Sequence, residues 1–143
     1  MKIKKTAALL FALLMFGTGA LADEITVIVN GNKIESDVPA MVINDRTMLP
    51  MRAIFEELGA NVTWIGEEKL IFATEGPNMV VMQIDNPIMS VQRIGEEGIE
   101  AVELDTAPFV YNDRTLVPVR AAAEALEATV QWDDETKTVT IIK

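Results

Sequence analysis

The feature that most constrains the fold of this chain is an internal repeat. Residues 44–64 (NDRTMLPMRAIFEELGANVTW) align with residues 112–132 (NDRTLVPVRAAAEALEATVQW) at an offset of 68, and 12 of the 21 aligned positions are identical. Identity over this length indicates that one supersecondary unit has been duplicated. The sequence therefore predicts the same local structure twice.

Each copy of the repeat predicts a turn, a helix and a hairpin, in that order. Asn-Asp opens the copy and favours a tight turn, because these short side chains bond to the local backbone. Pro50 and Pro118 occupy the predicted first helical position, where the missing N–H is not needed. Apolar residues then recur at helical spacing, and Ala-x-Val-x-Trp alternates as in a half-buried strand. A polar turn and a second strand complete the unit.

The two predicted helices differ in their buried stripe and in their last turn. Ala122 and Ala123 make the stripe of the second helix slimmer, so we expect this helix to lie closer to its partner surface. Gly59 fits the left-handed residue that ends the first helix. Glu127 stands at the same place in the second copy, which predicts a cost in stability or a different helix end.

These patterns predict an α+β fold of antiparallel β-sheet units, each packed on one short helix. Two tandem pseudo-repeats, at about 23–75 and 76–143, are expected to form one compact body. Further strand signals precede each repeat, and Asn30-Gly31 predicts a hairpin turn in the first half. Residues 76–78 (GPN) are the predicted seam and are too short for a flexible linker.

The first 22 residues are typical of a secretory signal peptide. Lysines near the start precede an apolar run over residues 7–16, and residues 20–22 (ALA) form a cleavage site of the A-x-A type. We predict cleavage after Ala22, a mature chain of residues 23–143, and no membrane span once the signal is removed. The predicted location is secreted, extracellular or in the cell envelope.

Composition excludes several classes of function. The chain has 12 basic and 22 acidic residues, and loss of the three signal lysines would leave a formal charge of −13. A chain this acidic repels phosphate backbones, so we predict no nucleic-acid partner. There is no Cys and no His, which removes disulfides, zinc sites of the Cys/His type and the commonest general base near neutral pH.

A longer motif in the second half resembles a known family. It is carried by residues 112–120 (NDRTLVPVR), 124–126 (EAL), 130–133 (VQWD) and 136–141 (TKTVTI). These residues resemble the N-terminal-like, or stalk, domain of copper amine oxidases, which is common in exported bacterial proteins. The resemblance implies a small α+β fold with a helix packed on an antiparallel sheet. It does not imply amine oxidation, since a chain with no His and a single tyrosine, Tyr111, lacks the copper ligands of those enzymes.

Two departures from the motif stand out within the resemblance. The first copy matches through Trp64 and then has Ile65-Gly66 in place of the acidic residue that follows the tryptophan, and Glu127 replaces the usual glycine. Surfaces where the copies differ are the better candidates for function. They are residues 65–68 against 133–136, and the unmatched stretch 95–103.

Most repeated positions are assigned a structural role. Arg46 and Arg114 would either grip an anionic ligand or brace their own repeat unit, and duplication favours bracing. Trp64 and Trp132 would either stack on sugars or lie in the core, and their phase with the valines two residues earlier predicts burial. The predicted structural motif consists of Arg46, Pro50, Arg52, Glu56, Trp64, Arg114, Pro118, Arg120, Glu124 and Trp132. The Arg and Glu in each helix are four residues apart and can pair, at ~0.3 kcal/mol per pair.

We predict no catalytic, cofactor-binding or metal-binding residues. The acidic segments 67–68 and 133–135 lack the spaced oxygen ligands of a calcium loop, so solvated turns are expected. Ser36 and Ser90 are the only serines and have no histidine partner. Paired carboxylates are the remaining route to catalysis, and the chain is short for a deep cleft beside the repeat.

The sequence therefore predicts a non-catalytic exported module. Its role would be to bind, or to space, a cell-wall polysaccharide or another exported protein. Two other functions stay open: a small hydrolase that uses paired carboxylates, and an acidic protein that binds divalent cations. The sequence does not determine the oligomeric state.

Overall fold

The computed structural model describes residues 24–143, so the predicted signal peptide lies outside the described residues. Within them the chain forms thirteen strands and two helices of seven residues each. In chain order these are β1 (Thr26–Val29), β2 (Asn32–Lys33), β3 (Met41–Ile43), β4 (Arg46–Pro50), α1 (Met51–Glu57), β5 (Asn61–Ile65), β6 (Leu70–Glu75), β7 (Asn78–Gln83), β8 (Ile88–Arg93), β9 (Glu100–Glu103), β10 (Phe109–Tyr111), β11 (Arg114–Pro118), α2 (Val119–Ala125), β12 (Thr129–Asp133) and β13 (Thr138–Ile142).

The strands of residues 24–143 form three sheets. The largest has the order β9-β8-β7-β6-β5 and is antiparallel throughout. A second sheet has the order β10-β11-β4-β3, also antiparallel. The third has the order β12-β13-β1-β2, in which β13 and β1 run parallel and the other pairs are antiparallel. Mostly antiparallel sheets with two short helices agree with the predicted α+β class.

Strand β4 pairs with β11, which occupies the equivalent position 68 residues later in the sequence. Leu49 lies opposite Val117, its own counterpart, while Met48 lies opposite Pro118. A local two-fold rotation about the Leu49–Val117 pair therefore exchanges the two strands and preserves their pairing. Helix α1 and strand β5 follow β4, and helix α2 and strand β12 follow β11. These segments are also offset by 68 residues.

The outer hairpins exchange partners between the two halves of the sequence. Strands β8 and β9 belong to the second half but extend the sheet that holds β5 and β6 of the first half. Strands β1 and β2 join β12 and β13 of the second half. The predicted boundary at residues 75 and 76 falls in the two-residue turn between β6 and β7, where Glu75 lies opposite Asn78.

The helices begin one residue later than the sequence predicts. Pro50 and Pro118 are N-cap residues with extended backbones, and the first helical residues are Met51 and Val119. The assignment of the prolines to the first helical position was therefore wrong. Because each proline also closes a strand, its fixed φ suits the change from extended to helical backbone.

Both helices end in the same hydrogen-bond pattern. The N–H of Ala60 donates to the carbonyl oxygen of Phe55 at 2.9 Å, and the N–H of Ala128 donates to that of Ala123 at 3.0 Å. This is the Schellman arrangement, which requires a left-handed residue after the helix. Gly59 has φ +86° as predicted, and Glu127 adopts φ +67° without the freedom of glycine. The second helix therefore ends as the first does, at the cost of a strained residue.

The main core lies between the helices and the sheets. Both helices bury one face, with Ile54 and Phe55 of α1 and Ala122 and Ala123 of α2 fully buried. A smaller core of Val38, Met48 and Leu116 fills the other face of the sheet β10-β11-β4-β3. The outer flank of α2, which carries Arg120, Ala121 and Glu124, borders an open cleft, and that cleft is the candidate site.

Candidate functional site

A cleft of about 1130 Å³ runs beside helix α2. Its walls come from α2, from β8 and β9, from the hairpin β3–β4, and from β12 and β13. The apolar part of its lining includes Met89, Val91, Val102, Val119, Ala121, Val130 and Trp132. Both segments in which the copies of the repeat differ contribute to it, through Glu100 and Glu103 on one side and Asp134 on the other.

The tryptophans are half exposed, and their predicted burial was wrong. Trp64 is 38% exposed and Trp132 is 42% exposed. The face of the strand on which they lie was predicted correctly, because Trp64 lies opposite Ile71 and Trp132 lies opposite Val139, both of which are buried. However, β5 and β12 are edge strands of their sheets, so no further strand covers the outer side of either indole.

The turn after β12 places an ion pair beside the indole of Trp132. Lys137 Nζ lies 6.0 Å from the centroid of the ring and donates a hydrogen bond to Asp134 at 3.0 Å. The pKa of the Asp134 carboxyl is lowered, mainly by this hydrogen bond and charge, with a smaller contribution from the side chain of Trp132. Asp133 accepts the backbone N–H groups of Glu135 and Thr136, which fixes the turn.

Trp64 lacks this support. Position 66 of the first copy, which corresponds to Asp134, is glycine. A Cβ at Gly66 would lie 3.5 Å from the indole nitrogen of Trp64, an ordinary contact. Space therefore permits a side chain beside Trp64, and the two copies differ in chemistry at this point.

Charged side chains of both signs line the cleft, most of them in pairs. Six acidic and four basic residues contribute to the lining. Each basic residue pairs with an acidic one of the cleft. The pairs are Arg46 with Asp105, Arg93 with Glu100 at 3.6 Å, Arg120 with Glu124 at 3.2 Å, and Lys137 with Asp134 at 3.0 Å. Arg52 and Glu56 of α1 form the counterpart of the α2 pair, at 3.1 Å, outside the cleft.

Arg46 and Arg114 link the two halves of the chain. Arg46 pairs with Asp105, and Arg114 pairs with Asp37, which is equivalent to Asp105 in the repeat and lies 68 residues before it. Each guanidinium also donates to the carbonyl oxygen of the residue before it. The hydrogen bond from Arg114, followed by its charge, lowers the pKa of Asp37. The structure thus places both arginines in ion pairs across the halves, not within their own repeat units.

Arg93 was not singled out by the sequence analysis. Its side chain is 20% exposed at one end of the cleft, and it donates to the carbonyl oxygen of Ala125 at the end of α2, at 3.3 Å. Its Nε lies 3.5 Å from the carboxylate of Glu127. The strained Glu127 is therefore charge-paired, which explains why glutamate replaces glycine there. The one sequence feature that could have pointed to Arg93 is its place as a charged residue at the end of the apolar segment IMSVQR (88–93).

The described part of the chain has neither a candidate metal cluster nor a candidate membrane-spanning helix. Residues 24–143 bring together no cluster of three carboxylate, histidine or cysteine side chains that could hold a metal ion. No helix of these residues has the length and apolar character needed to cross a membrane.

Comparison with known proteins identifies the family. The family model of the copper amine oxidase N-terminal domain matches residues 28–141, which include α2 and the strands β3, β4, β8, β9 and β12 that line the cleft. The chain belongs to this family. The copper amine oxidase N-terminal domain of this chain is also similar to a "Protease inhibitor" of Brevibacillus choshinensis, with 29% identity over 140 residues. The alignment covers 91% of the chain but only 40% of that relative. No solved structure matches the chain.

Proposed function

We propose that this copper amine oxidase N-terminal domain is a non-catalytic module of the cell exterior that binds a polymer in the cleft beside α2. We infer in addition that the domain consists of two tandem pseudo-repeats in one compact body, each with a helix packed on its own sheet. The observation that carries it is the cleft itself, which combines a half-exposed indole with paired charges. A cleft of about 1130 Å³ has room for a segment of a polymer.

The carboxylates of the cleft argue against a hydrolase. A glycosidase acid is normally kept protonated by an apolar pocket. Here Glu100, Asp105 and Glu124 have side chains that are 62%, 59% and 53% exposed, and each faces an arginine. These pairs suit hydrogen bonding to a ligand better than proton transfer. Binding of divalent cations has less support, since lysine or arginine already neutralises these groups.

Blocking the cleft tests the proposed function. Ala121 lines it on the partly exposed flank of α2, and Ala53 is its counterpart on α1, outside the cleft. We expect the purified protein to bind isolated cell walls or exported proteins, and Ala121→Trp to reduce the bound fraction at least tenfold. Ala53→Trp should bind as the wild type does. Equal binding by all three proteins would refute a role for the cleft, and no binding by the wild type would leave only a spacer role.

A protein partner is the second candidate, favoured by one exposed loop. Val91 and Glu100 are paired residues separated by eight others, whereas Val29 and Asn32 in the equivalent hairpin are separated by two. The longer loop carries Ile94, 82% exposed, and Ile99, 64% exposed, the two most exposed large apolar side chains of residues 24–143. Apolar side chains presented in this way are typical of protein docking sites.

The relative named as a protease inhibitor suggests the assay for this second candidate. The purified chain is titrated into a set of secreted serine, cysteine and metallo-proteases while substrate cleavage is followed. Inhibition that the double variant Ile94→Ala, Ile99→Ala loses by tenfold or more would support docking through the loop. Ala121→Trp serves as the control, because it blocks the cleft and leaves the loop intact. Full protease activity at a large excess of the chain would count against this candidate.

A further inference from the structure

We propose that the polymer bound in the cleft is an uncharged glycan strand, and that Trp132 is the surface on which one of its sugar rings stacks. This inference rests on the function proposed above and names the ligand class of the same site. It is carried by the position of Trp132, by the paired charges around it, and by the difference between the two copies of the repeat.

The indole of Trp132 provides a flat apolar surface that is already exposed in the absence of a ligand. The residue is 42% exposed and lines the cleft. Lys137 Nζ lies 6.0 Å from the centroid of the ring, and a hydrogen bond to Asp133 fixes the turn after β12. Contacts that are already formed before binding lower the entropy lost on binding. One face of a pyranose ring presents C–H groups, which pack on an indole, whereas its hydroxyl groups point outward to the sides. A half-exposed indole therefore matches a sugar ring.

The paired charges supply what the hydroxyl groups of a glycan need. Guanidinium groups donate hydrogen bonds and carboxylates accept them, and both kinds occur together at Arg120 with Glu124 and at Arg93 with Glu100. A hydroxyl group can use both, since it donates and accepts. Val102 and Val130 add apolar surface between them.

Charge in the cleft disfavours the other polymers. A polyanion would meet six acidic side chains against four basic ones, on a chain with a formal charge of −10. A basic peptide would find four of the six carboxylates already neutralised by Arg46, Arg93, Arg120 and Lys137, which leaves it only Asp45 and Glu103. An uncharged strand avoids both costs.

The duplication provides an internal comparison for the stacking role. Trp64 and Trp132 occupy the same position of the repeat, but only Trp132 lines this cleft and has an acidic residue two positions later. Had the tryptophan been needed only for the fold, the same support would be expected in both copies. Asp134, whose counterpart in the first copy is Gly66, is thus a positioning residue for the Trp132 ring.

Fluorescence of single-tryptophan variants tests the inference directly. The chain has two tryptophans, so Trp64→Phe reports on Trp132 alone and Trp132→Phe reports on Trp64 alone. Each is titrated to millimolar concentration with oligosaccharides of N-acetylglucosamine, of β-linked glucose and of α-linked glucose. We expect a saturable change in Trp64→Phe with at least one of them and none in Trp132→Phe. Calorimetry should show at least a tenfold loss of affinity in Trp132→Ala and less than a twofold change in Trp64→Ala.

A further variant tests the positioning role, and two outcomes would overturn the inference. Asp134→Gly copies the first half of the chain, and we expect a threefold to tenfold loss of affinity with an unchanged melting temperature. If none of the three glycans changes the fluorescence of Trp132, or if both tryptophans respond alike, the glycan assignment is wrong. The same holds if oligolysine or a polyglycerol phosphate binds instead and Ala121→Trp abolishes that binding. In that case the proposed function of the cleft stands and only its ligand class changes.

Discussion

Arg114 on β11 is joined by an ion pair to Asp37, which lies 77 residues earlier in the chain. The same relationship holds between Arg46 on β4 and Asp105, over 59 residues. In each pair a guanidinium from the hairpin of one half contacts the segment that leads into the hairpin of the other half. Together with the pairing of β4 and β11, these contacts join the two halves about their local two-fold axis.

The pH dependence of Asp37 should reveal this pair in solution. Arg114 lowers the pKa of the Asp37 carboxyl below its ordinary value of 3.8, first by its hydrogen bond and then by its charge. Because the folded pKa is the lower one, the pair contributes stability above pH 3.8, and this contribution is lost as the pH falls through the folded value. Arg114→Gln should raise the pKa of Asp37 toward 3.8 in an NMR titration. An Asp37 that titrates identically in both proteins would show that the pair does not persist in solution.

The stability cost of that variant should be small. Both side chains of the pair are largely exposed, and exposed ion pairs contribute little because solvent screens them. Arg52→Gln is the matched control, since it breaks the exposed ion pair with Glu56 and should leave the titration of Asp37 unchanged.

Two substitutions of Glu127, the left-handed residue after α2, should distinguish the effect of backbone strain on stability from the effect of the ion pair with Arg93. Glu127→Ala and Glu127→Gly both remove the carboxylate that lies near Arg93, but only glycine adopts φ +67° without strain. We expect Glu127→Ala to be less stable than Glu127→Gly by about 1 kcal/mol in denaturant unfolding. Gly59→Ala should lose a similar amount in the first half. Equal stabilities for the two Glu127 variants would mean that the backbone relaxes away from the left-handed conformation.

Truncation of the tryptophans should cost less than truncation of core residues. A buried Trp→Ala change typically costs ~3–5 kcal/mol. Because Trp64 and Trp132 keep 38% and 42% of their surface exposed, we expect about 1–2 kcal/mol for each. Chemical denaturation measures both values. A loss above 3 kcal/mol at Trp132 would indicate a structural role and would weaken the case for a ligand-stacking surface.

The side of a strand on which a residue lies could be predicted from the sequence, whereas its burial could not. Alternation placed Trp132 on the same side of its strand as Val130, and the structure agrees. It could not predict exposure, because exposure depends on which strand lies beside β12 in the sheet. The same limit applies to the whole fold. Local hairpins and helix ends follow from turn chemistry, whereas the pairs β4–β11 and β13–β1 join residues far apart in sequence.

The candidate site was predictable only in part for the same reason. The repeat pointed to residues 133–136 and 95–103 as places where the copies differ, and both regions contribute residues to the cleft. That they meet beside α2 depends on β8 and β9 joining the sheet of the other half. No local pattern records this exchange of partners.

The last strand should be essential to the fold, although chain ends are commonly dispensable. Strand β13 lies between β12 and β1, so its loss would also detach the first strand of the described chain. Ile141 on it is fully buried, whereas its neighbour Ile142 is 56% exposed. We expect Ile141→Ala to lower the free energy of unfolding by ~2–5 kcal/mol and Ile142→Ala to change it by less than about 0.5 kcal/mol. Since the two isoleucines are neighbours on one strand and differ in burial, similar losses at both positions would contradict the placement of Ile141 in the core.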